Sequence, residues 1–214
     1  MSTCPAAAVL PLPAAVPLAS GAGRARVPHM EQAVDPPGDE ILMQAWAAGD
    51  VAAFEALYAR HRLPLFRFLL GQLHDRALAE ELFQDVWQRV VAARDGWRPD
   101  APFAAWLYRI AHNRLADHWR ALKHRPPAPA DADERTTALA DPDDPERHAS
   151  RSQQAARLYR ALDELPAEQR EALLLRLHGE LPLEEIGRIT GVGRETVKSR
   201  LRYAMDRLRG RLQA

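Results

Sequence analysis

From Ile186 onward the chain carries Arg188, Arg194, Lys198, Arg200, Arg202, Arg207, Arg209 and Arg211, against only Glu195 and Asp206. Cations at that density on one short segment suit a polyanion, because each can displace a counterion from a phosphate backbone. Acid gathers elsewhere, at Asp131, Asp133, Glu134, Asp141, Asp143, Asp144 and Glu146. With 29 basic and 29 acidic residues the chain has no net charge. The polyanion reading therefore rests on where the charge lies, not on its sum.

Other chemistries find little support. Eight histidines are present, but His112, His118 and His124 recur every sixth residue, a rotation of about 240° that sends them to different helix faces. There is no His-x-x-x-His pair, no glycine-rich phosphate loop and no nucleophile elbow. Cys4 is the only cysteine, which excludes an internal disulfide and a multi-cysteine zinc site and fits a reducing compartment. The expectation is a protein that is not an enzyme, with no metal, no cofactor and no small-molecule substrate.

The most informative segment runs from Leu181 to Tyr203. Two short helices meet there at Gly191-Val192-Gly193, a turn in which glycine permits positive φ. Gly187 is small enough to let the second helix approach the first. Ile186, Val192, Val197 and Leu201 are spaced to fill a shared core. The opposite face of the last helix then presents Arg194, Glu195, Lys198, Ser199, Arg202 and Tyr203. That is the arrangement of a helix-turn-helix, whose second helix sets side chains on base edges while cations hold phosphates.

The elements that must carry this segment are all helical, for no run alternates with period two over the length of a strand. Residues 1–38 are Pro- and Ala-rich without periodicity and read as a disordered leader, not a signal peptide, since no cation precedes the apolar stretch. Met30 or Met43 offers an alternative start. Residues 39–124 form the first helical domain: Asp39 is a candidate cap for a short helix, Gly49-Asp50 ends it and caps the next, and Pro64 starts or kinks the following stretch. Asp75 caps a helix reaching about Ala93, with Leu82, Phe83, Val86 and Val90 on one face. After a Gly96–Pro102 loop, a helix from Phe103 to about His124 buries Trp106, Leu107, Ile110, Ala111 and Leu115. Residues 125–145 are a Pro-rich acidic linker. Residues 146–214 hold four helices: Asp144-Pro145 to about Leu165, Pro166–His178, Pro182–Thr190 and Gly193 to about Leu212. The fold class is all-α, two small helical domains joined by a flexible linker. No apolar run approaches the ~20 residues that span a bilayer, so direct membrane insertion is not expected and a cytoplasmic location is.

Two further stretches are distinctive: Ala79-Glu80-Glu81-Leu82-Phe83-Gln84-Asp85-Val86-Trp87, and Phe103-Ala104-Ala105-Trp106-Leu107-Tyr108-Arg109-Ile110-Ala111-His112-Asn113-Arg114, continuing through Asp117 to Trp119-Arg120. With the C-terminal segment they resemble the extracytoplasmic-function (ECF) RNA polymerase sigma factors, over about Asp39 to Leu212. The resemblance implies that Glu81, Gln84 and Asp85 dock on core RNA polymerase. It implies that the loop with Trp97, Arg98 and Asp100 takes a flipped base of the minus-ten element, with Trp97 as an aromatic wall. Asn113 and Asp117 would then read unpaired bases, while Arg109, Arg114, Arg120 and Lys123 hold phosphates. On promoter DNA at minus thirty-five, Ser199, Arg202 and Tyr203 fall on base-reading positions. Arg194, Thr196, Lys198 and Arg200 fall on the phosphates, with Glu195 beside them. The family also implies an anti-sigma factor as partner and a nucleoid association through polymerase. Gly193 departs from the pattern, standing where the family often has a serine cap. The residues by themselves leave open a second reading, a stand-alone helix-turn-helix regulator whose N-terminal half senses or dimerises.

Overall fold

A computed structural model describes residues 36–123 and 157–213, and every regular element among them is a helix. The first group comprises α1 (Asp39–Ala47), α2 (Val51–Leu73), α3 (Arg76–Ala92) and α4 (Phe103–Lys123), with a 3-10 turn at Arg94–Gly96. The second comprises α5, helical over 157–163, then α6 (Ala167–His178), α7 (Leu183–Thr190) and α8 (Arg194–Gln213). The expected leader and linker, and the start of the helix expected at Asp144-Pro145, lie outside the described residues.

The caps follow from side-chain chemistry. The Asp50 carboxylate accepts from the backbone N–H of Ala52 at 2.9 Å and of Ala53 at 3.3 Å, and Asp75 accepts from Leu78 at 3.0 Å, each satisfying N–H groups that the helix leaves unpaired. Asp39 is not a cap. Gly38 holds that position, and Asp39 is the first helical residue, its side chain turned across to α2, where it pairs with Arg60 and, at 2.6 Å, with His61. Burial pushes its carboxyl up, but His61 and Arg60 outweigh that and leave it below the ordinary value. Nor does Pro64 start a helix: it lies inside α2, which runs through it over 23 residues. The proline forfeits one hydrogen bond, while the completely buried Leu65, Phe68 and Leu69 just beyond it hold the helix against its neighbours.

Leu57, Leu65, Phe68, Leu82, Val86, Phe103, Leu107 and Tyr108 form the first core, and Leu174, Leu175, Leu181, Ile186, Val197 and Ala204 continue it through the second group. The continuity arises because α2 packs on α6 and α4 on α7. At Gly71 an added Cβ would stand 2.9 Å from Leu174 Cδ1, and at Gly179 it would stand 3.1 Å from Tyr108 Cδ2. Two ion pairs border this junction, His112 Nδ1 to Glu171 Oε1 at 2.5 Å and His74 Nε2 to Asp163 Oδ1 at 2.7 Å. The described residues from Pro37 onward form a single compact unit.

Candidate nucleic-acid interface

α7 ends in the left-handed conformation at Gly191, with φ 70°, and its N–H returns to Gly187 O. The Val192 N–H donates to the same carbonyl at 3.0 Å. This brings the turn so close to α7 that a Cβ at Gly187 would lie 2.6 Å from Val192 O. α8 then starts on Gly193, whose carbonyl accepts from Thr196 N at 3.0 Å and Val197 N at 3.1 Å. Ile186 and Val197 are completely buried, while Val192 and Leu201 pack half-buried against them.

The outward face of α8 exposes Arg194, Glu195, Thr196, Lys198, Arg202 and Tyr203, with Ser199 and Arg200 half-buried. Its charges are organised. Arg194 reaches Glu184 on α7 at 2.6 Å and Glu195 at 3.2 Å, and Lys198 lies 3.6 Å from Glu195. The Arg202 guanidinium lies over the Tyr203 ring, 4.9 Å from its centroid, and donates to the Tyr203 hydroxyl at 3.2 Å. Stacking of this kind presents the planar fork as a stiff unit.

In the first group, α3 and α4 are cross-tied. Arg114 meets Asp85 at 2.7 Å and Glu81 at 3.9 Å. Asp117 meets Arg89 at 3.3 Å and Arg120 at 2.8 Å. Gln84, Arg109, Asn113 and Lys123 are exposed. Of the three regularly spaced histidines, His112 reaches α6, His118 sits beside Arg114 and Glu81, and His124 lies outside the described residues.

The Gly96–Pro102 loop rearranges two expected roles. Trp97, taken from the sequence as the aromatic wall of a base pocket, is only 7% exposed and belongs to the core. Trp106, taken as core, is half-buried and lines a cavity of about 120 Å³ together with Gly96, Arg98, Asp100, Ala101 and Arg109. The reason is local. The turn at Arg94–Gly96 folds the Trp97 ring inward, while one helical turn from Phe103 brings Trp106 to the mouth of the loop. A contact that sequence reasoning missed fixes this corner: Glu40 on α1 accepts from the Phe103 N–H at 3.2 Å, capping α4 from a distant element.

Comparison with known proteins gives this geometry its context. The family model for Sigma-70 region 2 matches residues 57–125, and that for Sigma-70, region 4 matches 161–210. The RNA polymerase sigma-H factor of Pseudomonas aeruginosa is 30% identical over 181 residues, covering 82% of this chain and 94% of that relative. The ECF RNA polymerase sigma factor SigM of Mycobacterium tuberculosis is 33% identical over 172 residues, covering 79% and 82%. Among solved structures, CnrH in complex with the cytosolic domain of CnrY is similar with a TM-score of 0.60 and 26% identity, covering 82% of this chain and 97% of that one. RpoE of Bartonella quintana, in complex with the anti-sigma factor NepR, shares the fold with a TM-score of 0.59 and 23% identity, covering 77% and 99%. A basic helix-turn-helix behind an acidic-glutamine helix thus follows the order of regions 2 and 4, and the chain belongs to the ECF RNA polymerase sigma factors, which direct transcription initiation at promoters.

Proposed function

We propose that the two helical groups divide the work of promoter use. The first, about 39–124, docks on core polymerase through Glu81, Gln84 and Asp85 and handles the minus-ten element. The second, about 146–214, anchors the minus-thirty-five element through α8. The observation that carries the division is the segregation of charge: Glu81 and Gln84 stand exposed on α3 beside a half-buried Asp85, whereas Arg194, Lys198, Arg202 and Tyr203 stand exposed on α8. A basic polymerase surface complements the first face, and DNA complements the second.

In the minus-ten group, Asn113 and Asp117 lie one turn apart on α4, offering donor and acceptor to unpaired base edges. Arg109, Arg120 and Lys123 are the cations for phosphates. The cavity walled by Trp106, Arg98, Asp100 and Arg109 is of a size to admit part of a flipped base. On α8 the stacked Arg202–Tyr203 pair and Ser199 read bases, while Arg194, Thr196, Lys198 and Arg200 flank the backbone. An anti-sigma factor is the expected protein antagonist, in keeping with the complexes of CnrH with CnrY and of RpoE with NepR. The protein acts in the cytoplasm by binding, not by catalysis; among the described residues no helix is long and apolar enough to cross a membrane.

Reconstitution with core polymerase tests the division. The chain is expected to bind core with 1:1 stoichiometry and to confer start-site-specific transcription. Gln84→Ala combined with Asp85→Arg should abolish polymerase binding and leave the helical spectrum intact. Full affinity in that double variant refutes the docking assignment.

A further inference from the structure

We propose that Arg114 is a positioning residue of the polymerase-docking face and not a contact to DNA. The inference rests on the reading of α3 as the docking helix. Arg114 sits on α4, in the run where promoter contacts are expected, yet its side chain is only 15% exposed. Both its Nε and its Nη2 lie 2.7 Å from Asp85 Oδ2, and Nη2 lies 3.9 Å from Glu81 Oε1. Burial lowers the proton affinity of the neighbouring His118, Arg114 lowers it further, and Glu81 opposes them. The guanidinium is therefore lodged in the seam between α3 and α4, whereas Arg109 and Asn113 on the same helix stand exposed.

Two guanidinium donors converge on one carboxylate oxygen and restrain the Asp85 side chain against α4. The other carboxylate oxygen remains for an incoming cation, and the Asp85 side chain is 37% exposed. Asp85 then loses less conformational freedom on docking than an untethered aspartate would. Glu81, 65% exposed, keeps the patch acidic despite the arginine beneath it. To hold a phosphate instead, Arg114 would have to abandon both carboxylates and leave them unpaired.

The full chain is titrated against core polymerase, and the resulting holoenzyme against promoter DNA at several salt concentrations. Arg114→Gln is expected to weaken polymerase binding roughly three- to tenfold. The double variant Arg114→Gln/Asp85→Asn should bind no more weakly than Asp85→Asn alone, since the arginine acts through the aspartate. The salt dependence of promoter binding should keep its slope. Unchanged polymerase affinity with a slope reduced by about one makes Arg114 a phosphate clamp and overturns the proposal. Additive losses in the double variant overturn it as well. If Asp85→Asn leaves polymerase binding intact, the docking reading and the present one fall together. If Asp85→Asn weakens binding and Arg114→Gln does not, only the positioning role falls. Should Arg114→Gln not fold, Arg114→Lys takes its place; it keeps the charge but not the fork, intermediate affinity is expected, and wild-type affinity overturns the proposal.

Discussion

His112 Nδ1 and Glu171 Oε1 stand 2.5 Å apart, joining α4 of the first helical group to α6 of the second. The hydrogen bond to Glu171 raises the His112 proton affinity above its ordinary 6.5, against the effect of burial. A raised value contributes stability that is complete below 6.5 and is lost as the pH climbs through the folded value. His178 on α6 works the other way. Burial, helped by Arg67 of α2, pushes it down to about 4, so its contribution is present above 6.5 and lost as the pH falls towards 4. Acidification therefore strains the junction at His178 while His112 offsets part of the loss. Glu171→Gln should lower the melting temperature most near about pH 5.5 and have little effect near about pH 9. A pH-independent difference in thermal melts would show that the pair carries no proton linkage.

The two loop tryptophans should separate cleanly. Trp97→Ala empties a core site and is expected to cost ~3–5 kcal/mol in urea melts. Trp106→Ala removes a cavity wall; stability should fall less, while holoenzyme binding to a melted minus-ten template weakens by ~1–3 kcal/mol. The reverse pattern would restore Trp97 as the stacking residue.

The glycines of the turn predict opposite outcomes. Gly187→Ala places a methyl against the Val192 carbonyl, which is backbone and cannot swing aside. A loss of ~1–3 kcal/mol is expected, with loss of binding to a minus-thirty-five duplex in the holoenzyme. Gly193→Ser meets open space and supplies an N-cap, so it should be neutral or stabilising by a few tenths of a kcal/mol. Thermal melts of both variants distinguish the cases.

On α8, Arg202→Ala should relax specificity at one minus-thirty-five position, a cost of ~1–3 kcal/mol confined to the preferred base. Lys198→Ala should weaken all promoter variants alike and flatten the salt dependence. Binding of holoenzyme to a panel of single-base promoter variants at two salt concentrations reads both effects, and a uniform loss for Arg202→Ala would make it a phosphate contact.

Local chemistry was legible in the chain. Asp50 and Asp75 declare their helices because a short carboxylate suits unpaired N–H groups, and Gly187 and Gly191 declare the turn because a Cβ at the first would meet Val192 O and the positive φ of the second favours glycine. What failed were inferences that need a second element. Asp39 looked like a cap until α2 supplied Arg60 and His61 as competitors for its carboxylate. Pro64 could have started a helix but does not, because the packing that carries α2 through it belongs to other helices. Trp97 is buried, and Trp106 packs half-buried against the core beside a cavity; helical periodicity ranks apolar positions without saying which ring borders a cavity. The ties of Arg114 and Asp117 to α3 escaped for the same reason, being set by how two helices cross.

Gly71 gives the seam between the two helical groups an adjustable screw. Leu174, opposite it, is 1% exposed and has little room to retreat. One methyl at Gly71 would press on the Leu174 side chain, so that either this side chain or the α2–α6 spacing must yield, without altering a charge or the turn. Variation at this position therefore acts on the packing of α2 against α6, where the two groups meet.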